Sequence, residues 1–148
     1  MPVCVATLIT LRVSLKGKIA NLKKCNILSY GYNSMGTDDK AGVHAEADAL
    51  NKLKSNPNKK NPIPINILVI RVTKMNVLQN SKPCVLCIDK LKKIPIRKGY
   101  KLNNIFYSET PDKIIQTKLH ILESEEKHYS RYWREKMLAN SKSKSSKV

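Results

Sequence analysis

The spacing of apolar residues predicts strands and helices that alternate along the chain. Residues 3–13 are rich in β-branched side chains and predict a first strand, and a second is predicted at about residues 25–32. The turn-forming stretch at residues 14–18 favours an antiparallel hairpin between them. Residues 65–73 form a nearly continuous apolar run, typical of a central strand covered on both faces. A fourth strand is predicted at residues 105–108.

Two helices are predicted where apolar residues recur at helical spacing. Ala47, Leu50 and Leu53 form one stripe within residues 43–54. A second helix is predicted to follow Pro83 and to end at Pro95, because proline lacks the N–H that continues a helix. This helix separates the third and fourth strands, so those two strands are predicted to be parallel.

The segment after Ser108 supports two interpretations. Its apolar residues alternate as in a strand, but they also fall on one side of a helix. The turn-forming residues 109–113 favour the strand, which would then form an antiparallel hairpin with the fourth strand. Residues 123–138 are predicted to be helical in part. We expect one domain over residues 1–138 and a disordered tail of serine and lysine over residues 139–148.

The composition adds a strong positive charge to this picture. The 28 basic and 11 acidic residues give a net charge of +17, which favours a polyanionic partner such as single-stranded nucleic acid. However, nearly all the excess is lysine, and lysine, asparagine and isoleucine are abundant together, as a coding bias also produces. Both explanations remain open.

The chain carries no segment that predicts export or membrane insertion. No apolar run approaches the ~18 residues of a membrane span, and the N-terminus has no signal-peptide pattern. We therefore expect an intracellular protein, cytoplasmic or nuclear, whose four cysteines are thiols. Cys4 and Cys25 lie in apolar contexts that are typical of small buried residues.

Two short motifs carry the candidate chemistry. His44 and Glu46 are two residues apart at the predicted start of the first helix, and Cys84 and Cys87 follow Pro83 at the start of the second. One imidazole and two thiolates are three ligands for a tetrahedral Zn²⁺ ion, which leaves a fourth position for water. Glu46 is then a carboxylate outside the ligand set that can move protons. A structural zinc site is the alternative, but no other His or Cys forms a second ligand pair at suitable spacing.

His-x-Glu followed by Pro-Cys-x-x-Cys resembles the signature of the cytidine and deoxycytidylate deaminase superfamily. The resemblance covers roughly residues 5–110 and includes Gly31, Tyr32 and Asn33. It implies a three-layer α/β/α fold with a mixed five-stranded sheet and helices on both faces. It also implies that Asn33 binds the substrate sugar or base. The Ala45 N–H would face the pyrimidine carbonyl, and the Lys82 carbonyl would face the departing amino group.

The implied activity is hydrolytic deamination of an amino-bearing nucleobase, namely cytosine in a nucleoside or nucleotide. Members of the superfamily are often oligomers, so a homo-oligomer is also implied. Two alternatives remain: a deaminase of single-stranded DNA or tRNA, and a catalytically silent, zinc-stabilised module that binds nucleic acid. The sequence departs from the family in two places. It lacks a helix before the first strand, and its fifth strand could run in either direction. An antiparallel fifth strand would resemble the deaminases of free cytidine, whereas a parallel one would resemble the deoxycytidylate and tRNA-editing branch.

Overall fold

The computed structural model describes residues 3–11, 25–36, 42–125, 129 and 131–145. The predicted turn at residues 14–18 lies outside this part of the chain. The elements are β1 (Val3–Leu11), β2 (Cys25–Tyr32), α1 (Ala45–Lys52), β3 (Ile63–Val72), β4 (Leu78–Gln79), α2 (Val85–Arg97), β5 (Tyr100–Thr110), β6 (Lys113–Thr117), α3 (Leu119–Ser124) and α4 (Arg131–Ser145).

The strands form one mixed sheet with the order β2-β1-β3-β5-β6, and the two-residue strand β4 pairs with β3. β1 is antiparallel to both of its neighbours, and β3 is parallel to β5. The parallel pair follows from the crossover through α2, which returns the chain to the same end of the sheet. The predicted mixed five-stranded sheet is confirmed as the main path of this sheet, with β4 as an addition that the sequence did not indicate.

The structure decides between the two interpretations of the segment after Ser108. β6 pairs antiparallel with β5 through a tight turn at Pro111 and Asp112, so the hairpin is confirmed. The strand ends at Thr117, and the chain then turns into the short helix α3. The helix allows Leu122 to enter the core, where it is 3% exposed.

The core lies between one face of the sheet and helices α1, α2 and α3. Alternate residues of β3, namely Ile65, Ile67 and Val69, are fully buried on that face, as the period of two in a strand requires. Leu68 and Ile70, on the opposite face of the strand, are half-buried. The mixed sheet with packed helices agrees with the predicted α/β/α class.

Helix α2 continues past the proline that was predicted to end it. Pro95 lies inside the helix, which ends at Arg97. Proline removes only one hydrogen bond in the last turn, and the Lys98 N–H closes that turn by donating to the carbonyl of Ile94 at 3.1 Å. Gly99 then takes a positive φ of 82°, which ends the helix.

The C-terminal segment is helical over part of the predicted tail. Helix α4 reaches Ser145, so residues 140–145 are helical, whereas their composition predicted disorder. Residues 146–148 are outside the described part of the chain, and the division into domain and tail stays a prediction. No helix among the described residues combines the length and the apolar character needed to cross a bilayer.

Candidate metal centre

The two sequence motifs meet where helices α1 and α2 begin. His44 is the N-cap of α1, Cys84 is the N-cap of α2, and Cys87 lies in the first turn of α2. The Nδ1 atom of His44 is 3.2 Å from the Sγ atom of Cys87 and 3.4 Å from that of Cys84. One donor atom from each residue lies within 4.8 Å of the others, so the three residues are placed to bind one metal ion.

The donor set fits zinc. One imidazole nitrogen and two thiol sulfurs are ligands that Zn²⁺ prefers, and three protein ligands leave one tetrahedral position open. Both cysteines are buried and free of disulfides, and His44 is half-buried. Neither N-cap side chain makes a capping hydrogen bond, so both are available to the metal.

The contacts among the three donors shift their pKa values in different directions. Hydrogen bonds from Cys87 and His44 lower the pKa of the Cys84 thiol to about 4, so this residue is a thiolate at neutral pH. The same contact with Cys84 raises the pKa of Cys87, because the two sulfurs share one proton. A hydrogen bond to Cys84 also raises the pKa of His44. A bound cation would replace these protons and release them.

Glu46 interacts with all three donors, through a hydrogen bond with Cys87 and through the charges of His44 and Cys84, without belonging to their cluster. Its side chain is buried, at 4% exposure, and burial raises its pKa, while a hydrogen bond with Cys87 acts in the opposite direction. The carboxyl group therefore holds a proton more readily than an exposed glutamate does. A buried carboxyl with a raised pKa beside a metal site is suited to accept and return protons.

Helix α1 is held against β2 by close backbone packing. A Cβ atom on Gly31 would lie 2.3 Å from the nitrogen of Ala49 and 2.4 Å from the oxygen of Ala45, so only glycine fits. The Ser29 hydroxyl donates to the Ala49 carbonyl at 2.7 Å, and the Tyr32 N–H donates to Asp48 at 3.0 Å. These contacts fix the helix that carries His44 and Glu46.

The C-terminal end of α1 is closed by the lysine that follows α2. The ammonium group of Lys98 donates to the carbonyls of Leu50, Asn51 and Leu53 at 2.6–2.8 Å. These carbonyls have no partner within a helix, and a cation here also offsets the negative end of the helix dipole. Lys98 thus ties together the two helices that supply the metal ligands.

The start of α2 is held by a pair of buried serines that the sequence analysis missed. The Ser81 hydroxyl donates to the Val69 carbonyl on β3 at 2.7 Å and accepts from the Ser108 N–H on β5 at 2.9 Å. The Ser108 hydroxyl donates to the Gln79 carbonyl at 2.6 Å and contacts the Ser81 hydroxyl at 2.8 Å. The sequence does place a polar residue, Ser108, at the end of the apolar strand predicted at residues 105–108. Its partner Ser81 is 27 residues away, so the sequence did not indicate the pair.

The three predicted substrate-binding residues lie in the segments that lead into the candidate metal centre or, for Ala45, between His44 and Glu46. Asn33 follows β2, and its neighbour Ser34 donates its N–H to the Val43 carbonyl at 2.9 Å, just before His44. Ala45 is the fully buried first residue of α1. Lys82 precedes Pro83, and its ammonium group pairs with Glu125. Their contacts with a substrate stay predictions.

No family model matches this chain, and a search of curated proteins found no match either. The resemblance to the deaminase superfamily therefore rests on the motifs, the sheet and the geometry of this site.

Proposed function

We propose that this protein is a zinc-dependent hydrolase that deaminates an amino-bearing nucleobase, namely cytosine in a nucleoside or nucleotide. One observation carries the proposal: the buried carboxyl of Glu46 lies beside a cluster of one histidine and two cysteines at two helix N-termini. A structural zinc site has no need of such a carboxyl, whereas hydrolysis requires a group that moves protons.

The residues of the site divide into those that would hold the metal and one that moves protons. His44, Cys84 and Cys87 would hold the zinc ion, which when bound makes hydroxide available near neutral pH. Glu46 accepts a proton from the attacking water and passes it to the ring nitrogen. It then transfers the second proton to the amino group, so that the C–N bond breaks and ammonia leaves while the ring keeps a carbonyl oxygen.

The substrate contacts of the proposal come from the resemblance. Asn33 would hydrogen-bond the sugar or the base, the Ala45 N–H would donate to the pyrimidine carbonyl, and the Lys82 carbonyl would accept from the amino group. The antiparallel β5–β6 hairpin supports a free nucleoside, because the resemblance associates that strand direction with deaminases of free cytidine.

Ammonia release with wild-type protein and with the Glu46→Gln variant tests the proposal. Cytidine, deoxycytidine, their monophosphates, and short single-stranded DNA and RNA serve as substrates. We expect the variant to keep its zinc and to lose about 100-fold or more of the turnover, since proton transfer contributes on that order. Asp112→Asn removes an exposed carboxylate in the turn between β5 and β6, outside the site, and should keep the turnover. If zinc-loaded wild-type protein releases no ammonia from any of these substrates, the proposal fails and the silent zinc-stabilised module remains.

The net charge of +17 motivates a second candidate, deamination of single-stranded nucleic acid. Several lysines that could contact phosphates already have partners in the structure. Lys98 caps α1, and Lys92 and Lys93 are paired with Glu123 and Asp89. Lys59, Lys60 and Lys90 are exposed. A polynucleotide enzyme should lose affinity steeply with salt, by about one power of concentration per phosphate contacted. An absence of binding at low salt would exclude this candidate.

A further inference from the structure

We propose that Glu125 is a positioning residue, which fixes the loop of residues 80–83 through its ion pair with Lys82. The inference rests on the proposed function, because that loop leads directly into the metal ligand Cys84 and carries the backbone carbonyl expected to face the departing amino group. Glu125 lies beyond the part of the chain that resembles the deaminases, so the resemblance assigns it no role.

The loop is short and is bonded to two strands besides the two elements that it joins. It joins the end of β4 at Gln79 to Cys84, the N-cap of α2. Ser81 attaches it to β3 and β5 through the buried hydrogen bonds with Val69 and Ser108. The Lys82 N–H donates to the Asn80 side chain at 2.9 Å, which closes the loop on itself.

Lys82 is the one residue of this loop with an ion pair to another element among those described. Its side chain is 25% exposed and pairs with Glu125, which is 39% exposed. Glu125 immediately follows α3, and its N–H donates to the Ile121 carbonyl at 3.2 Å. Leu122 anchors α3 in the core, so the carboxylate that holds Lys82 is attached to a fixed element.

A second ion pair provides a matched comparison. Lys92 and Glu123, at 2.7 Å, connect α2 with α3, and Lys92 lies about two helical turns after Cys84. The Lys92 side chain is 57% exposed, compared with 25% for Lys82. Both pairs are too exposed to contribute much to stability, and they differ in the exposure of the lysine and in their distance from the site.

Three variants test the inference: Glu125→Gln, Glu123→Gln, and the charge exchange Lys82→Glu with Glu125→Lys. We expect Glu125→Gln to lower kcat about 10-fold with KM nearly unchanged, because the loop acts on the amino group as it departs. The zinc content should be unchanged. Glu123→Gln should leave both constants within about 2-fold of wild type, and the charge exchange should recover most of the lost kcat.

Hydrogen exchange of the segment 80–84, followed by mass spectrometry, gives a readout that does not depend on turnover. Faster exchange in Glu125→Gln than in Glu123→Gln is expected, because only the first variant removes a contact made by the loop itself. Equal effects of the two variants on exchange or on kcat would overturn the inference. If the wild-type protein has no deaminase activity, the proposed function fails, and the exchange experiment alone decides whether Glu125 fixes the loop.

Discussion

The two halves of the candidate metal centre differ in the main contact that attaches them to the sheet. Helix α1, with His44 and Glu46, approaches β2 so closely that Gly31 has no room for a side chain. The entry to α2, with Cys84 and Cys87, is held instead by the hydroxyl groups of Ser81 and Ser108. The first half therefore depends chiefly on close packing around a glycine, with polar contacts from Ser29 and Asp48 beside it, and the second depends on buried hydroxyl groups. We therefore expect the free energy of unfolding to fall most when atoms are added to the first half and when atoms are removed from the second.

The largest effect is expected from Gly31→Ala. The added methyl group would overlap backbone atoms of Ala45 and Ala49, and the helix must move because backbone cannot rotate away. We expect the free energy of unfolding to fall by about 3 kcal/mol, as for severe overpacking. Denaturant unfolding measures this loss, and zinc affinity should fall with it because His44 is displaced.

Ile27→Ala is the control for Gly31→Ala, since it alters an exposed side chain on the same strand. It should cost about 1 kcal/mol or less. If Gly31→Ala is as mild as this control, the close packing of α1 on β2 is not what holds the helix.

Ser108→Ala should have the next largest effect. It removes the hydroxyl that donates to Gln79, accepts from the Arg71 N–H and contacts Ser81, which leaves buried polar groups unpaired. We expect a loss of about 2 kcal/mol in the free energy of unfolding. Ser124→Ala, which deletes an exposed hydroxyl bonded to Ile121, should cost less than about 0.5 kcal/mol. A larger loss for Ser124→Ala than for Ser108→Ala would contradict the role of the serine pair.

The smallest effect is expected from Asp48→Asn, which tests the polar contact between α1 and β2. Lys52 and the Tyr32 N–H hold the pKa of Asp48 below its usual range. Because the folded-state pKa is the lower one, the ionised carboxylate stabilises the fold above the unfolded pKa of about 4. This contribution disappears as the pH falls through the folded-state pKa.

The measurement for Asp48→Asn is the free energy of unfolding from pH 7 to pH 2. We expect the variant to be less stable by at most about 1 kcal/mol at pH 7 and to converge with wild type in acid. Asp112→Asn, in the exposed turn between β5 and β6, controls for the general loss of a negative charge. A constant difference at every pH would mean that the charge of Asp48 is not responsible.

Local patterns were sufficient for much of the fold. The strand at residues 25–32 was predicted with its observed bounds, and the helix stripe of Ala47, Leu50 and Leu53 is buried as expected. Pro95 shows the limit of such rules, because a proline stops a helix only where the lost hydrogen bond is not compensated. Two residues of helix beyond it are stabilised by Lys98 and Gly99, whose conformations the local pattern did not indicate.

The sequence by itself determined which residues are candidate metal ligands, because the ligand types and their spacing within each motif are local properties of the chain. His44 with Glu46, and Cys84 with Cys87, each occupy one helix start, and no folding is needed to identify them as metal-binding groups. Only the tertiary structure decided that the two helix starts meet, that β6 forms a hairpin, and that Ser108 and Glu125 contact the loop before Cys84. Those contacts join residues up to 43 positions apart, and periodicity within a short segment carries no information about pairings over such separations.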